Sequence, residues 1–251
     1  MRYRSSRKVY SSNIYDWAIK ILPGVLLVML MGGCQQSTAI KPAATATPIA
    51  TENQAAISPA VGYHLLVPEG EPPTTGWPVI VAVHGLGGNG QDACDVWATP
   101  AKQHNYLLVC PSFVEEYWQL AQGEAEALDA ILTEVETTHP LNQIIYLTGI
   151  SAGGRFTHVY TFQYPEKVRA AAIVADASKQ SYDAGALDVP LFIAMGAKDT
   201  QWARRLQPLV ADLKKQGFQV TSYLSPDAGH EWSPDIVQKT LVFFNRIQQL
   251  N

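Results

Sequence analysis

Short apolar runs alternate with amphipathic stretches along most of the chain. Residues 79–83 are continuously apolar (Val-Ile-Val-Ala-Val), which is typical of a strand covered on both faces. Residues 61–68 form an earlier strand, and the Pro- and Gly-rich segment 69–78 ends it. Further predicted strands stand at 106–110, 144–148, 170–177, 191–195 and 220–224.

Helical periodicity fills the intervals between these strands. The stretch 123–139 places Leu128, Ile131, Leu132 and Val135 on one stripe. A short helix over 91–104 is expected to break near Pro100. Other predicted helices cover 153–163, 203–216 and 235–249. The alternation predicts an α/β fold, with a mostly parallel central sheet of about seven or eight strands and helices on both faces.

The first 60 residues read as a targeting segment and a tether. Residues 1–33 combine five basic side chains with the apolar run 21–31, which is too short to span a bilayer and predicts a signal peptide. Met31-Gly-Gly-Cys34 resembles a bacterial lipobox, so Cys34 is the predicted lipidation site and the membrane anchor; an ordinary secretory signal is the alternative. Residues 35–60 are rich in Ala, Thr and Pro and form a flexible linker, which leaves one domain over 61–251.

Charge and cysteine content limit which ligands, disulfides and metal sites are expected. Without residues 1–33, the chain keeps 13 basic and 21 acidic residues, a net charge of −8, which disfavours nucleic acid as a ligand. Cys94 and Cys110 either form a disulfide, contributing roughly 3 kcal/mol outside the cytoplasm, or remain two buried thiols. The sequence contains no cluster typical of a metal site.

The segment Gly149-Ile-Ser151-Ala-Gly153 carries the candidate nucleophile. It lies between a predicted strand and a predicted helix, the setting that a nucleophile elbow requires. Small residues two positions before and after Ser151 allow the backbone to turn sharply without a Cβ clash. Ser151 is therefore expected at the carboxyl end of the sheet.

A serine hydroxyl needs a base, and the base needs a carboxylate that fixes its tautomer. His230 lies in a loop between the last strand and the last helix, from which it is able to reach Ser151. Asp199 follows a strand and completes the chain order Ser, Asp, His; Asp176 also ends a strand and is the competing acid, whereas Asp227 is assigned to a turn.

The glycine-rich segment His84-Gly-Leu-Gly-Gly-Asn89 directly follows the strand 79–83. Its exposed amides suit a developing oxyanion, and we predict that the N–H groups of Leu86 and Ala152 form the oxyanion hole. His84 is expected to brace this loop at the edge of the substrate cleft rather than to act as the base.

These motifs occur together in the order found in α/β-hydrolases, and the chain resembles that family over residues 61–251. The resemblance rests on four motifs, which are the glycine loop, the elbow, Gly196-Ala-Lys-Asp199 and Gly229-His230-Glu-Trp232. The resemblance implies the α/β-hydrolase fold. The short body is similar to the feruloyl-esterase and polyhydroxybutyrate-depolymerase-like branch and to the phospholipase/carboxylesterase branch. The connection 177–189 leaves no room for a large lid domain, so an open site is expected.

The predicted function is an extracytoplasmic serine esterase that forms an acyl-enzyme and needs no cofactor. A serine peptidase or thioesterase of the same fold, or a non-catalytic lipoprotein that binds a ligand, are the alternatives. Trp202 and Trp232 are expected to wall the cleft, with ordinary packing as the other interpretation of these residues and of Trp118. We expect a monomer acting on a small or polymeric ester, whose identity the sequence leaves open.

Overall fold

The computed structural model describes residues 61–114 and 116–250. The signal peptide, the lipidated Cys34 and the linker predicted within residues 1–60 lie outside the described residues. All structural statements below concern the described part of the chain.

Seven strands form one sheet in the order β1-β3-β2-β4-β5-β6-β7. The edge strand β1 pairs antiparallel with β3, and every other pairing is parallel. The mostly parallel sheet predicted from the sequence is thereby confirmed. The strands are β1 (Tyr63–Leu66), β2 (Val79–Val83), β3 (Leu107–Pro111), β4 (Ile145–Ile150), β5 (Val168–Val174), β6 (Leu191–Gly196) and β7 (Val220–Ser225).

Five α-helices cover the two faces of the sheet. They are α1 (Gly90–Gln103), α2 (Glu124–Glu136), α3 (Ala152–Gln163), α4 (Thr200–Lys215) and α5 (Pro234–Gln248). Short 3₁₀ turns at Tyr117–Gln119, Pro165–Lys167 and Ala184–Asp188 complete the connections.

Alternate residues of each buried strand pack into two separate hydrophobic cores, one on each face of the sheet. In β2, Val79, Val81 and Val83 face α2, α3 and α4, whereas Ile80 and Ala82 face α1 and α5. All five residues of β2 are fully buried. This explains why the strand reads as a continuous apolar run: successive side chains point to opposite faces, and a helical layer covers each face.

Helix α1 differs from its prediction, because it continues through Pro100 instead of breaking there. Its start is strongly fixed: the side chain of Asn89 accepts hydrogen bonds from the N–H groups of Gln91 and Asp92, and Asp92 bonds back to the Asn89 N–H. Pro100 lies within the last turns of the helix, so its missing N–H removes a single bond near an end that frays.

A disulfide joins Cys94 of α1 to Cys110 of β3, with the two Cα atoms 5.8 Å apart. Both residues are buried in the core between the sheet and the layer of α1 and α5. Gly90 adds a close approach between the same two elements, because a Cβ at this position would lie 2.2 Å from the carbonyl oxygen of Cys110. Helix α1, which directly follows the glycine loop, is therefore held against β3 by covalent and steric constraints.

Candidate active site

Ser151 lies between β4 and α3 with a backbone conformation that L-residues rarely adopt. Its φ of 57° and ψ of −116° produce the sharp turn of a nucleophile elbow. The N–H of Ser151 donates to the carbonyl of Val174 at 2.9 Å, and its carbonyl accepts from Arg155 at 2.9 Å. These bonds tie the strained residue to the end of β5 and to the first turn of α3.

The glycines on either side of Ser151 are required by close backbone contacts. A Cβ at Gly149 would lie 2.1 Å from the carbonyl oxygen of Gly153. A Cβ at Gly153 would lie 2.2 Å from the oxygen of Val83 and 2.4 Å from that of His84. The G-x-S-x-G pattern thus has a measurable cause, since only hydrogen fits between the elbow, the start of α3 and the end of β2.

The carboxylate of Asp199 accepts a hydrogen bond from Nδ1 of His230. Asp199 directly precedes α4, where an aspartate commonly caps the helix, yet its side chain makes no capping bond. The Asp199 side chain is 11% exposed and that of His230 is 41% exposed. The acid is therefore enclosed, while the imidazole reaches solvent and a ligand.

The loops that carry Asp199 and His230 are joined through their backbones. The N–H of Ala197 donates to Ser225 at 2.7 Å, and that of Lys198 donates to Ala228 at 2.9 Å. Gly196 allows this approach, because a Cβ there would lie 2.2 Å from the oxygen of Gly229. The ends of β6 and β7 thus hold the acid and the base at a fixed separation.

The competing acid, Asp176, is engaged elsewhere. It is buried at the end of β5, lies 3.2 Å from Nδ1 of His158, and accepts a hydrogen bond from the hydroxyl of Ser178 at 2.7 Å. Asp227 is exposed and forms a loose ion pair with Lys198 at 3.6 Å. Of the three aspartates considered from the sequence, Asp199 is the one whose carboxylate contacts His230.

The predicted oxyanion donors border the elbow. Ala152 is the first residue of α3, so its N–H is one of the donors that a helix leaves without an internal acceptor, at the positive end of the helix dipole. The glycine loop approaches from the other side, because a Cβ at Gly85 would lie 3.7 Å from Cβ of Ser151. The side chain of Leu86 is 68% exposed and leaves the loop backbone uncovered.

Tyr117, which was not predicted as a site residue from the sequence, contacts His84 at the start of the glycine loop. Its hydroxyl donates to the carbonyl of His84 at 2.5 Å, and the two rings lie 5.1 Å apart. Burial raises the pKa of Tyr117 well above its usual range, which keeps the hydroxyl protonated as a donor. Tyr117 precedes no recognisable motif and lies 33 residues from His84, so no local sequence signal marks it.

His84, predicted to brace the glycine loop at the edge of the cleft, is buried beneath that loop. It is only 2% exposed, and its Nδ1 lies 2.7 Å from the carbonyl oxygen of Gly85. A side chain this deeply enclosed is out of reach of a ligand in the open cleft. The ring supports the glycine loop instead.

Comparisons with known proteins place this geometry among ester hydrolases. No family model matches the chain. A poly(3-hydroxyoctanoate) depolymerase of Pseudomonas fluorescens is 28% identical over 218 residues, which cover 71% of this chain and 77% of the depolymerase. A carboxylesterase of Bacillus cereus matches with a TM-score of 0.56 and 18% identity, covering 74% of this chain and 94% of that one.

A thermostable esterase matches with a TM-score of 0.59 and 22% identity over 76% of this chain, which spans 58% of that esterase. These structures share the layered architecture described above. This chain has the α/β-hydrolase fold. The predicted fold is confirmed, and the relatives support an enzyme that hydrolyses carboxylic esters.

The tryptophans considered from the sequence differ in their surroundings. The ring of Trp202 lies 6.5 Å from that of His230, and the guanidinium of Arg205 stacks on its face at 5.0 Å. Trp232 instead packs edge-on against Trp97 at 6.0 Å, with its indole nitrogen enclosed. Trp118 packs edge-on against Tyr117. Trp202 is thus the tryptophan adjacent to His230, whereas the ring of Trp232 packs against Trp97.

Within residues 61–114 and 116–250, no grouping of His, Cys, Asp and Glu side chains could hold a metal ion. In the same part of the chain, no helix combines the length and the apolar character needed to cross a membrane.

Proposed function

We propose that this protein is a serine esterase, with Ser151 as nucleophile, His230 as general base and Asp199 as the acid that orients the base. The observation that carries this proposal is the Asp199–His230 hydrogen bond, in a fold that also holds Ser151 in a strained elbow. An aspartate that leaves its helix uncapped to contact an exposed histidine has a role in chemistry that packing does not explain.

The acylation step uses groups that the fold already positions. The Oγ atom of Ser151 attacks the ester carbonyl carbon while Nε2 of His230 takes the hydroxyl proton. Asp199 holds the Nδ1 proton and stabilises the resulting imidazolium. The N–H groups of Leu86 and Ala152 donate to the tetrahedral oxyanion, whose collapse expels the alcohol after it receives the proton from His230.

Deacylation repeats the sequence with water as the nucleophile. His230 removes a proton from water, the hydroxide attacks the acyl-enzyme, and the same two N–H groups stabilise the second oxyanion. The acid product leaves as Ser151 regains its proton. The connection from Ala177 to Val189 contains only a short 3₁₀ turn, so no domain of that segment closes over the acyl-enzyme.

For the substrate, we propose esters of hydroxyalkanoic acids, as polymer or as short oligomers. The support is the likeness to the Pseudomonas fluorescens enzyme, whose name gives poly(3-hydroxyoctanoate) as its polymer. Suspensions of this polymer, p-nitrophenyl esters, feruloyl esters, thioesters and aminoacyl amides, assayed side by side, test the class. Faster cleavage of amides or thioesters than of any ester would favour the peptidase or thioesterase alternative.

Labelling with a fluorophosphonate tests the proposed nucleophile directly. The wild-type protein is expected to label and to hydrolyse p-nitrophenyl esters, and Ser151→Ala to do neither while it melts at a similar temperature. Ser181→Ala is the matched control, since Ser181 is an exposed serine in the 177–189 connection. A folded wild-type protein that neither labels nor hydrolyses any ester would favour a non-catalytic binding lipoprotein.

We also propose that the enzyme works outside the cytoplasm, anchored through a lipid on Cys34. The Cys94–Cys110 disulfide supports an oxidising compartment. Mass spectrometry of the mature N-terminus is expected to show a diacylglyceryl cysteine at position 34. A mature protein that begins at another residue would exclude the anchor, and an unprocessed N-terminus would exclude export.

A further inference from the structure

A cavity of about 650 Å³ runs along α4, the helix that begins directly after Asp199. We name it the α4 cavity; its basic lining consists of Lys179, Arg204, Arg205 and Lys215. These four are among only twelve lysines and arginines between residues 61 and 250, where acidic residues number twenty. A third of the positive side chains of an acidic domain thus surround one cavity.

The positive charge of the α4 cavity is largely uncompensated. Its carboxylate, Asp212, lies 2.9 Å from Nζ of Lys179, and this hydrogen bond lowers the pKa of Asp212. No carboxylate of the described residues forms an ion pair with Arg204, Arg205 or Lys215. Arg204 and Arg205 therefore remain available to a negatively charged ligand, whereas Lys215 also lowers the pKa of Asp212 and so shares that carboxylate with Lys179.

The α4 cavity also has an apolar surface, and it is elongated along the helix. Ala177, Pro208 and Leu209 contribute apolar lining. Arg204 and Lys215 stand at opposite ends of α4, roughly 16 Å apart at 1.5 Å per residue. The cavity therefore offers an elongated apolar path with a cation at each end, which suits a chain-like molecule that carries a carboxylate.

Arg205 links the α4 cavity to the catalytic histidine. It lines the cavity and stacks on Trp202, whose ring lies 6.5 Å from that of His230. Trp202 and Arg205 lie one turn apart at the start of α4, next to Asp199. The end of the cavity lined by Arg205 is therefore the end nearer to His230.

We infer that the α4 cavity binds the terminal carboxylate of an ester oligomer, so that the enzyme prefers short hydroxyacid oligomers with a free acid end. This inference rests on the proposed esterase function and adds the part of the substrate that is recognised. Lys215 contacts the carboxylate at the end of the cavity remote from His230, and Arg204 adds attraction at longer range. The hydrocarbon of the oligomer lies against Pro208 and Leu209. Because both cations are exposed to solvent, their attraction for the carboxylate is moderate and weakens with salt.

The test compares two forms of a 3-hydroxyalkanoate trimer, one with a free terminal carboxylate and one capped as a primary amide. For the wild-type protein, we expect kcat/KM to be about tenfold higher for the free acid, mainly through a lower KM, and to fall to about twofold in high salt. The double variant Arg204→Gln/Lys215→Gln is expected to bring the ratio of the two kcat/KM values close to one. Arg204→Glu/Lys215→Glu is expected to invert it.

Lys214→Gln is the matched control, because Lys214 is an exposed neighbour of Lys215 that does not line the cavity. It is expected to keep the wild-type ratio, and thermal melts confirm that each variant is folded. Equal rates for the acid and the capped trimer in the wild-type protein would overturn the inference while leaving the esterase proposal intact. A ratio that survives in the double variant would remove the α4 cavity from acid recognition. Failure to hydrolyse either trimer or any p-nitrophenyl ester would defeat the esterase proposal itself.

Discussion

The carboxylate of Asp199 stands at the N-terminus of α4 yet bonds to His230 rather than to the helix. The same residue accepts helical hydrogen bonds only through its backbone carbonyl, from Trp202 and Ala203. The two functions of a capping residue are thus divided: the backbone starts the helix, and the side chain serves the site.

Replacing Asp199 by Asn is expected to lower kcat about 10³- to 10⁴-fold, because the amide neither stabilises the imidazolium nor enforces the required tautomer. Steady-state kinetics with a p-nitrophenyl ester measures the loss. Asp176→Asn separates the two candidate acids: it disturbs the buried contacts with His158 and Ser178, so it should lower the melting temperature more than kcat. The opposite pattern would make Asp176 the triad acid.

Proline at position 86 tests the oxyanion hole, because it removes a backbone N–H that side-chain mutation cannot delete. Leu86→Pro is expected to lower kcat about 10²- to 10³-fold with a smaller effect on KM. Leu86→Ala is the comparison, since it shortens an exposed side chain and keeps the N–H. Equal losses in both variants would show that the N–H of Leu86 is not a donor to the oxyanion.

Gly153→Ala tests the tight contact between the elbow helix and β2. The added Cβ would meet the carbonyl oxygens of Val83 and His84, both backbone atoms that are unable to rotate away. We expect a loss of about 2–3 kcal/mol in the free energy of unfolding, measured in denaturant. Gly62→Ala is the control, because a Cβ there meets nothing within 4 Å. Similar stabilities of the two variants would refute the contact.

Asp235, near the start of α5, predicts how stability depends on acid. Hydrogen bonds from Ser225, Ser233 and Tyr223 lower its pKa from 3.8 to about 2. A lowered pKa in the folded state stabilises the protein above the ordinary value, and this contribution is lost as the pH falls from about 4 through about 2.

Melting temperatures of the wild-type protein and Asp235→Asn, measured across this range, check the prediction. The variant is expected to be less stable near neutral pH, and the difference should shrink as the pH falls below about 4. Val242→Asn, an exposed position on the same helix, is a control for which the difference should stay constant with pH. A constant difference in Asp235→Asn would contradict the pKa shift.

The sequence predicts the strands and the elbow well because each depends on local patterns. Buried parallel strands such as β2 need apolar side chains on both faces. The elbow needs glycine at position 153, where an added Cβ would lie 2.2 Å from the carbonyl oxygen of Val83. The positions of Asp199 and His230 follow from strand ends, which a parallel sheet gathers at one edge. Chain order therefore reveals much of this site.

Features that depend on contacts between distant segments are invisible in the sequence. The bond from Tyr117 to His84 and the approach of Lys179 to Asp212 of α4 arise from the packing of separate elements. The predicted break at Pro100 was wrong for a different reason. Proline usually ends a helix, but α1 tolerates one near its end. Trp232 lies beside His230 in the chain, yet its ring packs against Trp97, so closeness in sequence did not indicate which way the side chain points.

The backbone of Ser151 gives the active site an energetic consequence for the whole fold. A non-glycine residue at φ 57° and ψ −116° costs of order 1–3 kcal/mol, which the surrounding hydrogen bonds must offset. Ser151→Gly would relieve that cost and abolish the nucleophile. At position 151, stability therefore favours glycine over the proposed nucleophile, and selection for thermostability alone would act against serine there.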